Sequence, residues 1–153
     1  MEEIASYNKK FDQEASAICD ELLRVIDATI GRQTTCKIWH GAPVWFDDDN
    51  PVVGYSVRKR GVQLLFWSGC SFDESTLSQV GEKYPTAEAR YMSVDEIKVA
   101  DMRRWLKKSL KLQWDYKNIV KRRGILLPLK GSPSTAAIQQ AIVRARQSKT
   151  SLI

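Results

Sequence analysis

The chain has 153 residues, of which 43% are hydrophobic and 27% charged, and its formal net charge is +6. A chain of this length and composition can bury roughly two thirds of its unfolded surface, which argues against a disordered or fibrous protein and favours one folded domain. No run approaches the roughly 18 apolar residues needed to cross a bilayer, and the start of the chain is acidic where a signal peptide is basic. We therefore expect a cytoplasmic protein with no membrane association.

The charge is unevenly distributed along the chain. Residues 1–97 hold ten basic and sixteen acidic residues, a net charge of −6, whereas residues 98–123 hold ten and two, a net charge of +8. This predicts an acidic body followed by a basic C-terminal third. The cysteines at positions 19, 36 and 70 are odd in number and fit neither a disulfide framework nor a zinc site, so we expect them to be reduced.

The N-terminal segment has the pattern of an amphipathic helix from Tyr7 to Ile30. Its apolar residues recur at steps of three and four, and Gly31 is expected to end the helix.

The period then changes to that of strands. The stretches "TCKIWHGAPVWF", "PVVGYSVRKR" and "GVQLLFWSG" are short, rich in valine and aromatic residues, and separated by turn sequences, which predicts consecutive hairpins. Gly41 and Pro43 are expected to shape the bend of the first hairpin. Successive side chains of a strand point to opposite faces, so each of the two later strands has one side with only apolar residues and one side with both polar and apolar residues, which we call its mixed side. The mixed sides carry Gly54, Ser56 and Arg58 in one strand and Gln63, Leu65 and Trp67 in the next.

The remaining elements are a short strand and two helical stretches. Residues 68–88 are predicted to be a loop with a loose helical turn, and "EARYM" a fourth strand. Ser93 and Glu96 have the spacing of a capping box ahead of a basic helix in "VDEIKVADMRRWLKKSL", and "WDYKNIVKRR" predicts a further helix ending at Gly124. We expect one domain over residues 1–124. Residues 125–153 are then a linker and either a docked short helix, from Thr135 to Gln147, or a mobile tail.

The order of these stretches carries a resemblance to a known family. The initial helix, "IWHGAPVWF", "VVGYSVRKRGVQLLFW", "ARYMSVDEI" and "LQWDYKNIVKRRG" together resemble the YdhG-like family, also called domain of unknown function 1801, over roughly residues 10–124. The resemblance implies an α+β sandwich, with helices on one face of an antiparallel sheet of about four to five strands. Some members are described as frataxin-like iron chaperones, so it also implies a role in iron delivery.

The single histidine, His40, is the first candidate for chemistry. A lone imidazole often acts as a general base or a metal ligand. Cys36 lies four residues earlier on the same strand, however, about 13 Å away, which is too far to share one ion. The sequence also offers no catalytic triad and no glycine-rich phosphate loop. We therefore expect a binding protein rather than an enzyme.

A row of carboxylates on the first helix is the candidate metal site. It comprises Glu14, Asp20 and Glu21. Glu14 and Glu21 are two helical turns apart, about 10.5 Å, so their carboxylates cannot coordinate one ion together. Such a row can still attract hydrated cations weakly, and the resemblance makes ferrous iron the expected cation and an iron-accepting protein the expected partner. The alternative is an ordinary solvated helix face.

Aromatic residues in the hairpins form a candidate ligand pocket. Trp39, His40, Tyr55 and Trp67 crowd the strands, with glycines nearby that allow close approach of a ligand. Such residues would suit a planar or apolar small molecule, although core packing explains them equally well.

The basic helix is the third candidate site. It carries Arg103, Arg104, Lys107, Lys108 and Lys111, followed by Trp114 and Tyr116. These residue types suit contacts with nucleic acid or with an acidic protein. No nucleic-acid-binding fingerprint accompanies them, and the acidic first helix is an alternative partner within the chain.

Overall fold

The structure is a computed structural model and describes residues 1–131. Its helices are α1 (Glu2–Asn8), α2 (Gln13–Ile30) and α3 (Val99–Lys111). Its strands are β1 (Thr35–Trp39), β2 (Ala42–Asp47), β3 (Asn50–Arg58), β4 (Gly61–Phe66), β5 (Ser78–Gln79), β6 (Ala87–Tyr91), β7 (Gln113–Trp114) and β8 (Pro128–Lys130). Short 3₁₀ turns occupy Gly69–Ser71 and Val94–Glu96.

The first six strands form one antiparallel sheet in the order β1-β2-β3-β4-β6-β5, and β7 and β8 pair separately. All three helices contribute to a single core with one face of the large sheet. From the helices it includes Ile4, Leu22, Ile26, Met102 and Leu106, and from the sheet Val53, Val62, Leu64 and Phe66. The α+β fold expected from the sequence is therefore confirmed.

The register of β3 and β4 follows the alternation in the sequence. Tyr55 pairs with Leu64 on the core side, and Ser56 pairs with Gln63 on the opposite side. Residues directly opposed in neighbouring strands point to the same face. The mixed sides of the two strands therefore form one continuous outer face of the sheet.

The N-terminal helix predicted from Tyr7 to Ile30 is two helices. Asp12 has an extended backbone, and its side chain accepts a hydrogen bond from the amide of Ala15 at 2.8 Å, which starts α2 afresh. Tyr7 of α1 and Ile18 of α2 are both buried in the same core. This shared burial explains why the apolar residues of the sequence keep a helical period across the break.

Three further expectations from the sequence are corrected. The large sheet has six strands rather than four or five, because residues predicted to be loop add the two-residue β5 beside β6. Ser93 starts the 3₁₀ turn without a side-chain cap, and α3 begins only at Val99, after Lys98. The stretch "WDYKNIVKRR" forms turns instead of a helix.

The C-terminal part of the described chain folds back on the domain. Pro128–Lys130, which the sequence assigned to a linker, pair as β8 with β7. The predicted helix from Thr135 to Gln147 lies outside the described residues. Within residues 1–131, no helix is long and apolar enough to cross a membrane.

Candidate functional site

An open groove of about 330 Å³ lies on the outer face of the large sheet. We call it the sheet-face groove. Its lining includes the four residues that the sequence proposed for a pocket, Trp39, His40, Tyr55 and Trp67, together with Tyr7, Gly54, Ser56, Arg58, Gln63 and Leu65. The first hairpin and the mixed sides of β3 and β4 therefore meet at this site.

Two indoles form the aromatic wall of the groove. The ring centroids of Trp39 and Trp67 are 6.2 Å apart, and Trp39 also packs against Phe46 at 5.5 Å. A side chain at Gly54 would come within 3.3 Å of the Trp67 ring and 2.7 Å of the carbonyl oxygen of Pro43. Glycine at this position therefore lets Trp67 lie against the sheet.

His40 forms the turn between β1 and β2. Its φ is +51° and that of Gly41 is +82°, the left-handed values that a two-residue hairpin turn requires. The bend thus lies at His40 and Gly41, while Pro43 belongs to β2. The imidazole contacts the Trp39 ring, with centroids 4.3 Å apart. His40 is exposed and lies at the rim of the groove.

Tyr55 is a core residue, although it borders the groove. Its hydroxyl donates a hydrogen bond to Oδ1 of Asn8 at 2.8 Å, and its ring packs against Trp45. Burial raises the pKa of this hydroxyl, and the bond to Asn8 opposes that shift in part. The hydroxyl of Tyr55 is therefore already paired with Asn8, although the residue belongs to the lining of the groove.

Polar side chains line the other side of the groove. Nε of Arg58 donates to Oγ of Ser56 at 3.1 Å, and Oγ of Ser56 donates to Oε1 of Gln63 at 3.3 Å. We call this the donor chain. Gln63 is only 6% exposed. The sequence showed these three residues on the mixed sides of their strands but gave no sign that they bond to one another.

The carboxylates proposed to bind iron do not converge. Glu21 forms an ion pair with Arg24 at 2.6 Å, which holds the pKa of Glu21 below its ordinary value. Asp20 accepts a hydrogen bond from Asn8 at 3.0 Å, and Glu14 is exposed. In the part of the chain that the structure describes, no group of three or more His, Cys, Asp or Glu side chains is placed to hold a metal ion.

The basic residues of α3 divide into two sets. Arg104 and Lys108 bind Glu74, which also accepts a hydrogen bond from the indole of Trp105 at 2.9 Å. The other three, Arg103, Lys107 and Lys111, are exposed, and we call them the basic face. Helix α2 packs against α3, as the charge pattern suggested, but the ion pairs of α3 are made to Glu74 and Asp101.

Buried polar residues outside the groove have structural roles that the sequence did not show. Asn50 is completely buried, donates to the carbonyl of Trp114 at 2.9 Å and accepts from the amide of Tyr116 at 2.9 Å. Asp115 accepts from Asn118 and Arg122. These contacts fix the turns that follow β7.

Comparison with known proteins adds no further assignment. No family model, no curated protein and no solved structure matches this chain.

Proposed function

We propose that this protein is a cytoplasmic binding protein that holds a small planar ligand in the sheet-face groove. The observation that carries the proposal is the aromatic wall, in which Trp39 and Trp67 stand in contact beside the strand backbone at Gly54. Both indoles are only partly buried, so each keeps surface that a ligand can cover.

The size of the groove and the chemistry of its wall suit such a ligand. Its volume, about 330 Å³, lies at the small end of the usual range for small-molecule sites, about 300 to 1,000 Å³. Stacking of a planar ring on an aromatic side chain is worth about 1–3 kcal/mol. The floor consists of strand backbone that is already hydrogen-bonded to its neighbours, so binding does not require the site to form first.

Iron delivery, which the resemblance to the YdhG-like family implies, is the alternative proposal. It rests on the carboxylates of α2, of which Glu21 is neutralised by Arg24 and Asp20 is bonded to Asn8. An anaerobic titration with ferrous iron tests it, with Glu14→Gln, Asp20→Asn and Glu21→Gln combined in one variant. Saturable binding that the variant loses would favour iron over the groove.

The test of the groove is a titration of ¹⁵N-labelled protein with 2-acetylnaphthalene, a neutral planar probe. The indole N–H signals of the five tryptophans report on it. We expect saturable shifts at Trp39 and Trp67, while Trp114, which is 1% exposed, stays unchanged. Replacing Trp67 by Ala should weaken binding about tenfold or more, because one stacking surface is lost.

Two further variants separate a lost site from lost folding. Trp39→Phe keeps an aromatic ring in the wall and should weaken binding only a few-fold. Val120→Ala removes a highly exposed apolar side chain outside the groove and should leave binding unchanged. The proposal fails if the wild-type protein shows no saturable shift up to the solubility limit of the probe, or if Val120→Ala weakens binding as much as Trp67→Ala does.

A further inference from the structure

The side of the groove opposite the indoles indicates which chemical class of ligand fits it. We propose that the ligand is a planar aromatic carboxylate, with its ring on Trp39 and Trp67 and its carboxylate facing Arg58, Gln63 and Tyr7. This inference rests on the proposed function and specifies the ligand of the same groove.

The donor chain leaves one amide group of Gln63 available to a ligand. Arg58 can only donate hydrogen bonds, so the Ser56 hydroxyl accepts one from Arg58. The same hydroxyl donates its own hydrogen bond to Oε1 of Gln63. Nε2 of Gln63 has no hydrogen-bond partner among residues 1–131, although the residue is 94% buried and lines the groove. No buried side-chain nitrogen or oxygen among the described residues lacks a partner, so this nitrogen is open to solvent at the groove, where it can donate to the acceptor of a ligand.

Tyr7 supplies a second donor at the same end of the groove. Its hydroxyl oxygen accepts a hydrogen bond from the amide of Val57 at 3.1 Å, and Val57 lies between Ser56 and Arg58 in the chain. The hydroxyl proton is then left to donate. Tyr7 is 7% exposed, and burial raises the pKa of its hydroxyl, so the proton is retained at neutral pH.

Arg58 is the only Lys or Arg in the lining of the groove. Arg58 forms no ion pair within the described residues, and no Asp or Glu occurs in the lining. Two neutral donors beside an unpaired guanidinium match a carboxylate, which accepts several hydrogen bonds at once and pairs with arginine in a planar geometry.

Three probes that differ only at one end of a common ring system test the inference. They are 2-naphthoate, 2-acetylnaphthalene and naphthalene, which carry a carboxylate, a neutral acceptor and no acceptor. Each is titrated into ¹⁵N-labelled protein, and the indole signals of Trp39 and Trp67 and the side-chain amide of Gln63 are followed. We expect 2-naphthoate to bind about tenfold tighter than 2-acetylnaphthalene, because charge-assisted hydrogen bonds are the stronger ones.

Variants assign the preference to the proposed residues. Arg58→Met should remove most of the preference for 2-naphthoate over 2-acetylnaphthalene. Tyr7→Phe should weaken the binding of 2-naphthoate a few-fold. Arg60→Met is the matched control, since Arg60 lies two residues further on, is exposed and does not line the groove.

The outcomes separate this inference from the proposed function. Equal affinity for the three probes, or an equal loss of 2-naphthoate binding in Arg60→Met and Arg58→Met, would overturn the inference while the groove still binds planar rings. Failure of all three probes to shift Trp39 and Trp67 would overturn both.

Discussion

Glu74 accepts hydrogen bonds from three side chains of α3, those of Arg104, Trp105 and Lys108, while its own side chain is only 8% exposed. The contacts with Arg104 and Lys108 hold the pKa of this carboxyl well below its ordinary value of 4.5. A lowered pKa in the folded state means that the ionised carboxylate stabilises the fold. The loop that leads to β5 is thereby attached to α3.

Replacement of Glu74 by Gln should destabilise the protein by about 2 kcal/mol near neutral pH, because hydrogen bonds between charged partners are lost. The stabilisation is complete above the unfolded pKa, near 4.5, and is lost as the pH falls toward the lowered folded value. The difference between the two proteins should therefore shrink on acidification. Urea unfolding of both, near pH 7 and near pH 3, measures it.

Asp73→Asn is the matched control for this prediction. Asp73 is exposed, and its φ of +57° is one that asparagine tolerates. This variant should change stability little at either pH. A Glu74→Gln variant that is as stable as Asp73→Asn near neutral pH would show that the contacts of Glu74 contribute nothing net.

The strands show which local structure can be predicted from the sequence. In β3 and β4 a strict period of two, joined by a tight turn, fixed both the register and the faces. The same alternation places Tyr55 and Trp67 on opposite faces of the sheet. The prediction that both line one pocket therefore depended on the abundance of aromatic residues and not on the period of the strands. The contact of Trp39 with Trp67 joins β1 to the end of β4, and no local pattern reveals such a contact.

The segment after β7 shows where local pattern fails. The stretch "WDYKNIVKRR" has apolar residues at helical spacing, but its backbone follows hydrogen bonds to Asn50 and Asp115 instead. Asn50 lies more than sixty residues earlier, and Oδ1 accepts from the amides of both Tyr116 and Lys117. Long-range bonds of a buried amide override the helical preference here.

Replacement of Asn50 by Ala should therefore release this segment from the sheet. We expect a loss of about 3 kcal/mol in unfolding free energy, since several buried hydrogen bonds lose their partner at once. Amide hydrogen exchange should also become faster at Tyr116 and Lys117 than at β4. Asp49→Gly serves as the control, because Asp49 is exposed with a φ of +66° that glycine adopts freely. Unchanged protection at Tyr116 and Lys117 in Asn50→Ala would contradict this role.

In the whole molecule, the groove and the basic face lie on opposite sides of the large sheet. Helix α3 packs through Met102 and Leu106 on the core face, whereas Trp67 and Gln63 lie on the outer face. The charge pattern of the sequence pointed to α3, yet two of its five predicted anion-binding residues are engaged by Glu74. The outer face, which the sequence showed only as a partly covered side, supplies the site with convergent aromatic and polar groups.

Intermolecular nuclear Overhauser effects between 2-naphthoate and the protein test directly whether the sheet-face groove binds planar ligands. We predict contacts from the ring protons of the probe to the indole protons of Trp39 and Trp67, and none to Trp105, which is 4% exposed on the core side. Contacts confined to the exposed face of α3, or no contacts to either groove indole in a sample saturated with the probe, would contradict the claim that the sheet-face groove binds planar ligands.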